Sequence, residues 1–165
     1  AAARLEPVTQ AGLVSGIEYS VAQGQWDRLP DWKQLAPVAS GVIDRVGLPA
    51  DLAMGDHFAL RLNGFIHISR AGLYTFSTTS DDGSRLYIGD RLVVENDGLH
   101  APQQSAGHVY LKAGLFPLRI EFFENSGGQF LRASWSGPDL QNQEIDSQFL
   151  FRATPQEHPP EPAAD

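Results

Sequence analysis

The densest polar cluster in the chain is Ser80-Asp81-Asp82-Gly83-Ser84, whose two adjacent carboxylates suit the oxygen coordination of a hard cation. Along an extended strand, neighbouring side chains point to opposite faces. Asp81 and Asp82 therefore converge on one point only where the backbone leaves regular geometry, as at a cis peptide. An exposed Asp-Gly turn is the other reading of the same residues. Two further polar loops follow. Asn96-Asp97-Gly98 with His100 has the turn chemistry of a connecting loop, and Asn125-Ser126-Gly127-Gly128 carries glycines that let carbonyls turn towards a cation as readily as they make a plain turn. None of the three has the spaced carboxylates and closing Glu of a helix-loop-helix calcium motif.

Other side chains carry weaker signals. Trp26, Trp32, Tyr87 and Phe130 could stack on a sugar ring, but aromatics in an all-β chain more often pack in the core or at its rim. Trp135, in phase with Leu131 and Ala133, reads as core. Glu121 and Glu124 are the pair a glycosidase acid and base would need. They differ in strand parity and have alternating apolar neighbours, so surface charge and loop anchoring are the expected roles. The 5 histidines lack metal-ligand spacing, and neither a phosphate cradle nor a Ser/His/Asp constellation stands out. The chain is expected to be non-catalytic.

Strands must position these loops, because 16 Gly and 11 Pro among 165 residues leave few windows long enough for a helix. FALRLNGFIHI from Phe58 keeps one parity through Gly64 and reads as a single long strand, with Gly64 a bulge or close-approach point and an Asn63-Gly64 hairpin the rival. Ser69 to Gly72 reads as the turn of a hairpin into LYTFSTTS. RLYIGDRLVVE reads as two short strands joined at Gly89-Asp90. GHVYL and FPLRIEFFE alternate around Lys112-Ala113-Gly114, with Leu118, Ile120 and Phe122 opposing Arg119, Glu121 and Phe123. FLRASW follows, and Gln148 to Arg152 is expected to close a sheet beside Gly16 to Ser20. The one helical candidate is short, at Asp31 to Leu35. Such regularly spaced strands predict an all-β antiparallel sandwich or barrel with short helical turns only.

Composition narrows the partners. Twelve Lys+Arg against 20 Asp+Glu give a net charge of -8, and Lys33 and Lys112 are the only lysines, so no basic patch matches nucleic acid or an anionic membrane. No apolar run approaches the ~20 residues of a membrane span. With 0 Cys, thiol chemistry, disulfides and zinc-thiolate sites are excluded. Ala1 to Gln10 lacks the plan of a signal peptide, so any export signal is expected outside this sequence. Residues 1–11 read as an N-terminal extension, 12–152 as the folded domain and 153–165 as a Pro/Glu-rich linker, together a module of a larger protein.

Three segments carry a family resemblance: YTFSTTSDDGSRLYIG at Tyr74 to Gly89, LVVENDGLH at Leu92 to His100, and AGLFPLRIEFFENSGGQFLRASW at Ala113 to Trp135. In order and spacing they resemble the domain shared by the anthrax protective antigen, yeast flocculins and bacterial glycosidases and adhesins, over about Gly12 to Phe151. The resemblance implies a lectin-like β-sandwich that binds carbohydrate through Ca2+. By motif match it implies that Asp81 and Asp82, joined by a cis peptide, and the Asn125 side chain are metal ligands that also meet the sugar. The carbonyls of Gly127 and Gln129 would complete the set. Two carboxylates, one amide and two carbonyls leave places for water or sugar hydroxyls among the 6 to 8 oxygens calcium takes. With two formal charges the site would be neutral and weak, suited to extracellular calcium. The implied protein is exported, and its partner a glycan or cell-surface carbohydrate. A structural or protein-interaction domain without a sugar site is the alternative, and an accessory domain of a glycosidase a third.

Overall fold

Alternating apolar and polar residues, punctuated by glycine and proline, build twelve strands among the described residues. The computed structural model describes residues 5–50, 52 and 55–154, so the linker expected at 153–165 lies outside them from residue 155 on. The strands are β1 (Leu13–Ser15), β2 (Ile17–Gln23), β3 (Ala39–Ile43), β4 (Phe58–Ile68), β5 (Gly72–Asp81), β6 (Ser84–Ile88), β7 (Arg91–Asn96), β8 (Gln103–Leu111), β9 (Gly114–Glu124), β10 (Phe130–Gly137), β11 (Leu140–Glu144) and β12 (Leu150–Ala153). Two 3-10 turns, Trp32–Gln34 and Ser147–Phe149, are the only helical elements described. The first falls in the predicted segment, where the Asp31 carboxylate accepts the Lys33 amide at 3.0 Å. No described helix is long and apolar enough to cross a membrane.

Two antiparallel sheets form a sandwich. The large sheet runs β1-β12-β4-β9-β6-β7, with β2 beside β4 and β3 beside β2, and the small sheet runs β11-β10-β5-β8. The strand β4 is continuous, paired with β9 from Phe58↔Glu124 to Ile68↔Gly114 without a register shift. Gly64 is a close-approach point, since a Cβ there would stand 2.8 Å from the Phe151 carbonyl oxygen. The inward residues Phe58, Leu60, Leu62, Phe116, Ile120 and Phe122 are all fully buried. From the small sheet Tyr74, Phe76 and Trp135 join the same core, with the Tyr74 and Trp135 rings stacked at 5.7 Å.

Two sequence expectations are corrected. The turn after Ile68 does not make a hairpin. The edges of β4 are already taken, by β9 on one side and by β2 and β12 end to end on the other, so the chain crosses the rim and β5 pairs with β8 and β10 instead. The closing strand β12 pairs with Leu13–Ser15, and of the expected residues 16–20 it is Gly16 that reaches it, its amide donating to the Leu150 carbonyl at 3.1 Å. Gly16, at φ 114, divides the N-terminal run, so that β1 lies on β12 while β2 lies on β4 and β3.

Between the sheets, next to the candidate site, lies a buried polar layer of Thr78, Ser80, Ser84 and Asn96. The Asn96 amide donates to the Gln103 carbonyl at 2.9 Å and to the Thr78 carbonyl at 3.2 Å, and the Ser84 hydroxyl donates to Thr78 Oγ1 at 2.9 Å. Asn96→Leu strands these buried acceptors, and urea unfolding is expected to show a loss of about 1 to 3 kcal/mol. An unchanged midpoint would show that the layer does not stabilise the fold.

Candidate functional site

The sheet-to-sheet crossings β5–β6, β7–β8 and β9–β10 meet at one end of the sandwich. Register places them there: Ser84 lies opposite both Asn96 and Phe122, and Asp81 opposite Phe130. Gly83 permits the approach. A Cβ on it would stand 2.6 Å from the Gly98 nitrogen and 2.8 Å from the Phe123 ring, and its carbonyl accepts the Phe123 amide at 3.1 Å. The peptide bond between Asp81 and Asp82 is cis.

Asp82, 6% exposed, ties the loops together. Its Oδ2 accepts the Asn125 amide at 2.8 Å and its Oδ1 the His100 amide at 3.3 Å. Each carboxylate oxygen has two lone pairs, so these bonds leave Asp82 able to accept a cation as well. Asp81 is half-buried and faces the last loop, where a Cβ on Gly128 would stand 3.3 Å from its Oδ2. The structure thus brings Asp81, Asp82 and the Asn125 backbone together. Gly127, at φ 89, and Gln129 lie exposed on the same loop, with the Gln129 side-chain amide donating to the Gly55 carbonyl.

The residue that sequence reasoning missed is Glu124. The surface role expected for it does not hold: it is 0% exposed, and neither carboxylate oxygen has a hydrogen-bond partner. Asp81, Asp82 and Glu124 each offer an oxygen within 4.8 Å of the others, a cluster that could hold a metal ion. Its signal was strand parity, since Phe116, Leu118, Ile120 and Phe122 point inward and Glu124 continues their phase. Burial, with Asp82, Asp81 and Asp56 adding repulsion, pushes its carboxyl up to about 8. Asp81 is raised too, by burial and then by Asp82, against the partial relief of His100. Three clustered carboxylates, of which Asp81 and Glu124 are held above the usual carboxylate range, with two orphaned buried oxygens on Glu124, fit a hard cation bound through oxygen.

Elsewhere the suspects separate. Trp32, 8% exposed, packs on Ala22, Ala59 and Phe123 in a second apolar cluster on the outer face of the large sheet, with Trp26 against it. Tyr87 lies under the Arg119 guanidinium at 4.2 Å, and Phe130 under that of Arg132 at 5.4 Å. Trp135 is core, as its phase predicted. Glu121 is on the outer face, yet its side chain is only 12% exposed because Arg119 covers it at 3.2 Å.

This architecture is that of an all-β domain of two antiparallel sheets packed as a sandwich. The model of the PA14 domain matches residues 41–148, and the chain belongs to that family, the anthrax protective antigen-like domains. A curated relative, the anti-sigma-I factor RsgI3 of Acetivibrio thermocellus, is 24% identical over 106 residues, which are 64% of this chain and 16% of that protein. The chain therefore spans about a sixth of that relative's length. Among solved structures, an anti-sigma factor domain-containing protein from Clostridium clariflavum superposes with a TM-score of 0.72 at 20% identity, covering 88% of this chain and 49% of that one. The PA14 sugar-binding domain from an RTX adhesin gives 0.71 at 14% identity, covering 85% and 99%.

Proposed function

We propose that the chain is a non-catalytic, calcium-dependent carbohydrate-binding module of an exported protein. The observation that carries this reading is Glu124, a fully buried carboxylate with both oxygens unpartnered beside Asp81 and Asp82. Carboxylate, amide and carbonyl oxygens are the donors calcium prefers, and the exposed Ser126 to Gln129 loop gives a ligand access to the ion. When bound, the ion supplies open coordination places for vicinal sugar hydroxyls. Asp81, Asp82 and Glu124 would hold it, and Asn125 would add its amide oxygen. Three carboxylates make the site tighter than the two-charge expectation. The sugar-binding adhesin domain of similar fold supports a glycan as the partner.

The test is calorimetry of chelator-stripped protein with calcium, then a glycan array with and without chelator. Calcium uptake with chelator-sensitive glycan binding is expected, and glycan binding that survives chelation overturns the mechanism. Asn125→Ala is expected to weaken calcium and glycan binding together, by about tenfold. A neutral oxygen contributes less than a carboxylate, so residual affinity remains. If only glycan binding falls, Asn125 is not a ligand of the ion. The second reading, a protein-interaction domain without a sugar site, draws on the anti-sigma-I factor relative. Calcium uptake with a silent glycan array would favour it.

A further inference from the structure

A cleft of about 430 Å³ lies between residues 29–33 and the outer face of the large sheet, a size typical of small-ligand sites. Four of the chain's 12 Lys+Arg line it: Lys33, Arg61, Arg85 and Arg119. A protein of net charge -8 thus gathers a third of its cations around one depression.

Register builds the cationic row. Arg61 on β4 and Arg85 on β6 both lie opposite Glu121 of β9, and Arg119 stands two residues further along the same strand face. Two of these guanidiniums are already neutralised. Arg85 pairs with Glu95 through bonds of 2.6 and 2.8 Å and lies 3.5 Å from Asp97, and Arg119 pairs with Glu121 at 3.2 Å. Arg61 is different. Its guanidinium lies 4.9 Å over the Trp32 ring, no carboxylate of the described residues lies within ion-pair distance, and its buried Nε has no acceptor. The buried Trp32 indole N–H likewise lacks a partner. Two orphaned donors on residues lining one cleft are uncommon in a folded interior. Lys33, exposed at the rim, also makes no ion pair among the described residues.

We propose that this cleft is a second, metal-independent ligand site that takes a carboxylate-bearing sugar, a hexuronate. The planar fork of Arg61 matches a carboxylate bidentately, with Lys33 adding charge. Asp31 and Glu121, the two acids in the lining, accept hydrogen bonds from hydroxyls. A monoanion with several hydroxyls satisfies both sets, whereas a phosphate dianion would meet repulsion from those acids.

The experiment is an NMR titration of the whole chain in excess chelator, following the three indole N–H signals, with glucuronate, glucose and acetate as probes. Glucuronate is expected to shift the Trp32 indole signal saturably, and glucose and acetate to shift it at least tenfold more weakly. Arg61→Gln and the exposed Lys33→Gln should each weaken glucuronate about tenfold or more, while Asp82→Asn leaves it unchanged. No saturable shift, equal binding of glucose, or full affinity in both cation variants overturns the proposal. Acetate binding as tightly as glucuronate reduces the cleft to a simple anion site and overturns the sugar assignment. Because chelator is present throughout, failure here is distinct from failure of the calcium reading.

Discussion

Asp82→Ala is expected to abolish calcium binding, with a loss of at least about 100-fold in affinity, while far-UV circular dichroism still reports a β-rich fold. Two consequences come from one side chain. As a candidate ligand, its removal leaves Asp81 and Glu124 to hold a divalent ion with fewer charges and a gap in the sphere. As an acceptor, it holds the Asn125 amide at 2.8 Å and the His100 amide at 3.3 Å, so two loops lose a charge-assisted anchor. A stability loss of about 1.5 to 3 kcal/mol should accompany the loss of metal. Asp81→Ala separates the roles. Burial, and then repulsion from Asp82, raise the Asp81 carboxyl, so this variant should lose calcium with little loss of metal-free stability. Unchanged calcium affinity in either variant would refute the site. If both unfold, the pair has mainly a structural role.

Much of this arrangement was legible in the residues, and the parts that were not share a cause. Parity along Phe58 to Ile68 and along Leu118 to Phe122 is a local property that tertiary context did not override, so those strands and their inward faces follow from sequence. Which strands become neighbours is not local. Ser69 to Gly72 has the composition of a hairpin turn, and nothing within it records that both edges of β4 are occupied by strands from residues 17–23, 114–124 and 150–153. The same holds for Asn96. Its turn-forming context suggests an exposed loop, yet β5 and β8 pack over it and make it the centre of a buried polar layer. Glu124 could have been read correctly. Its parity matched the core residues before it, but a carboxylate in the core phase is costly unless something compensates, and nothing near it in the sequence does. The compensation we propose is a cation shared with Asp81 and Asp82, which reach Glu124 from far earlier in the chain.

That compensation makes Glu124→Gln the variant with opposed effects. In the metal-free protein the Glu124 carboxyl is pushed up to about 8, whereas in the unfolded chain it titrates near its ordinary value of 4.5. Between these values the folded state holds a proton that the unfolded state has released, so stability falls as pH rises through the window. Below 4.5 both states are protonated and the penalty vanishes, and above about 8 it is complete. A glutamine side chain cannot ionise, so the variant is expected to lack this slope and to melt higher than the parent at about pH 8 without metal. Calcium binding should move the other way. The ion replaces the proton on Glu124, so in the parent protein affinity rises with pH up to about 8, by at most about tenfold per unit for one proton released. With glutamine the charge is gone, calcium affinity is lower by at least about tenfold, and this pH dependence is lost. Melting curves in chelator and calorimetry with calcium, both between about pH 5 and about pH 9, read the two effects separately. A variant that melts higher but binds calcium as the parent does would leave Glu124 a buried acid that no ion needs. One that loses calcium without gaining metal-free stability would mean that the repulsion among the three carboxylates is already relieved by solvent.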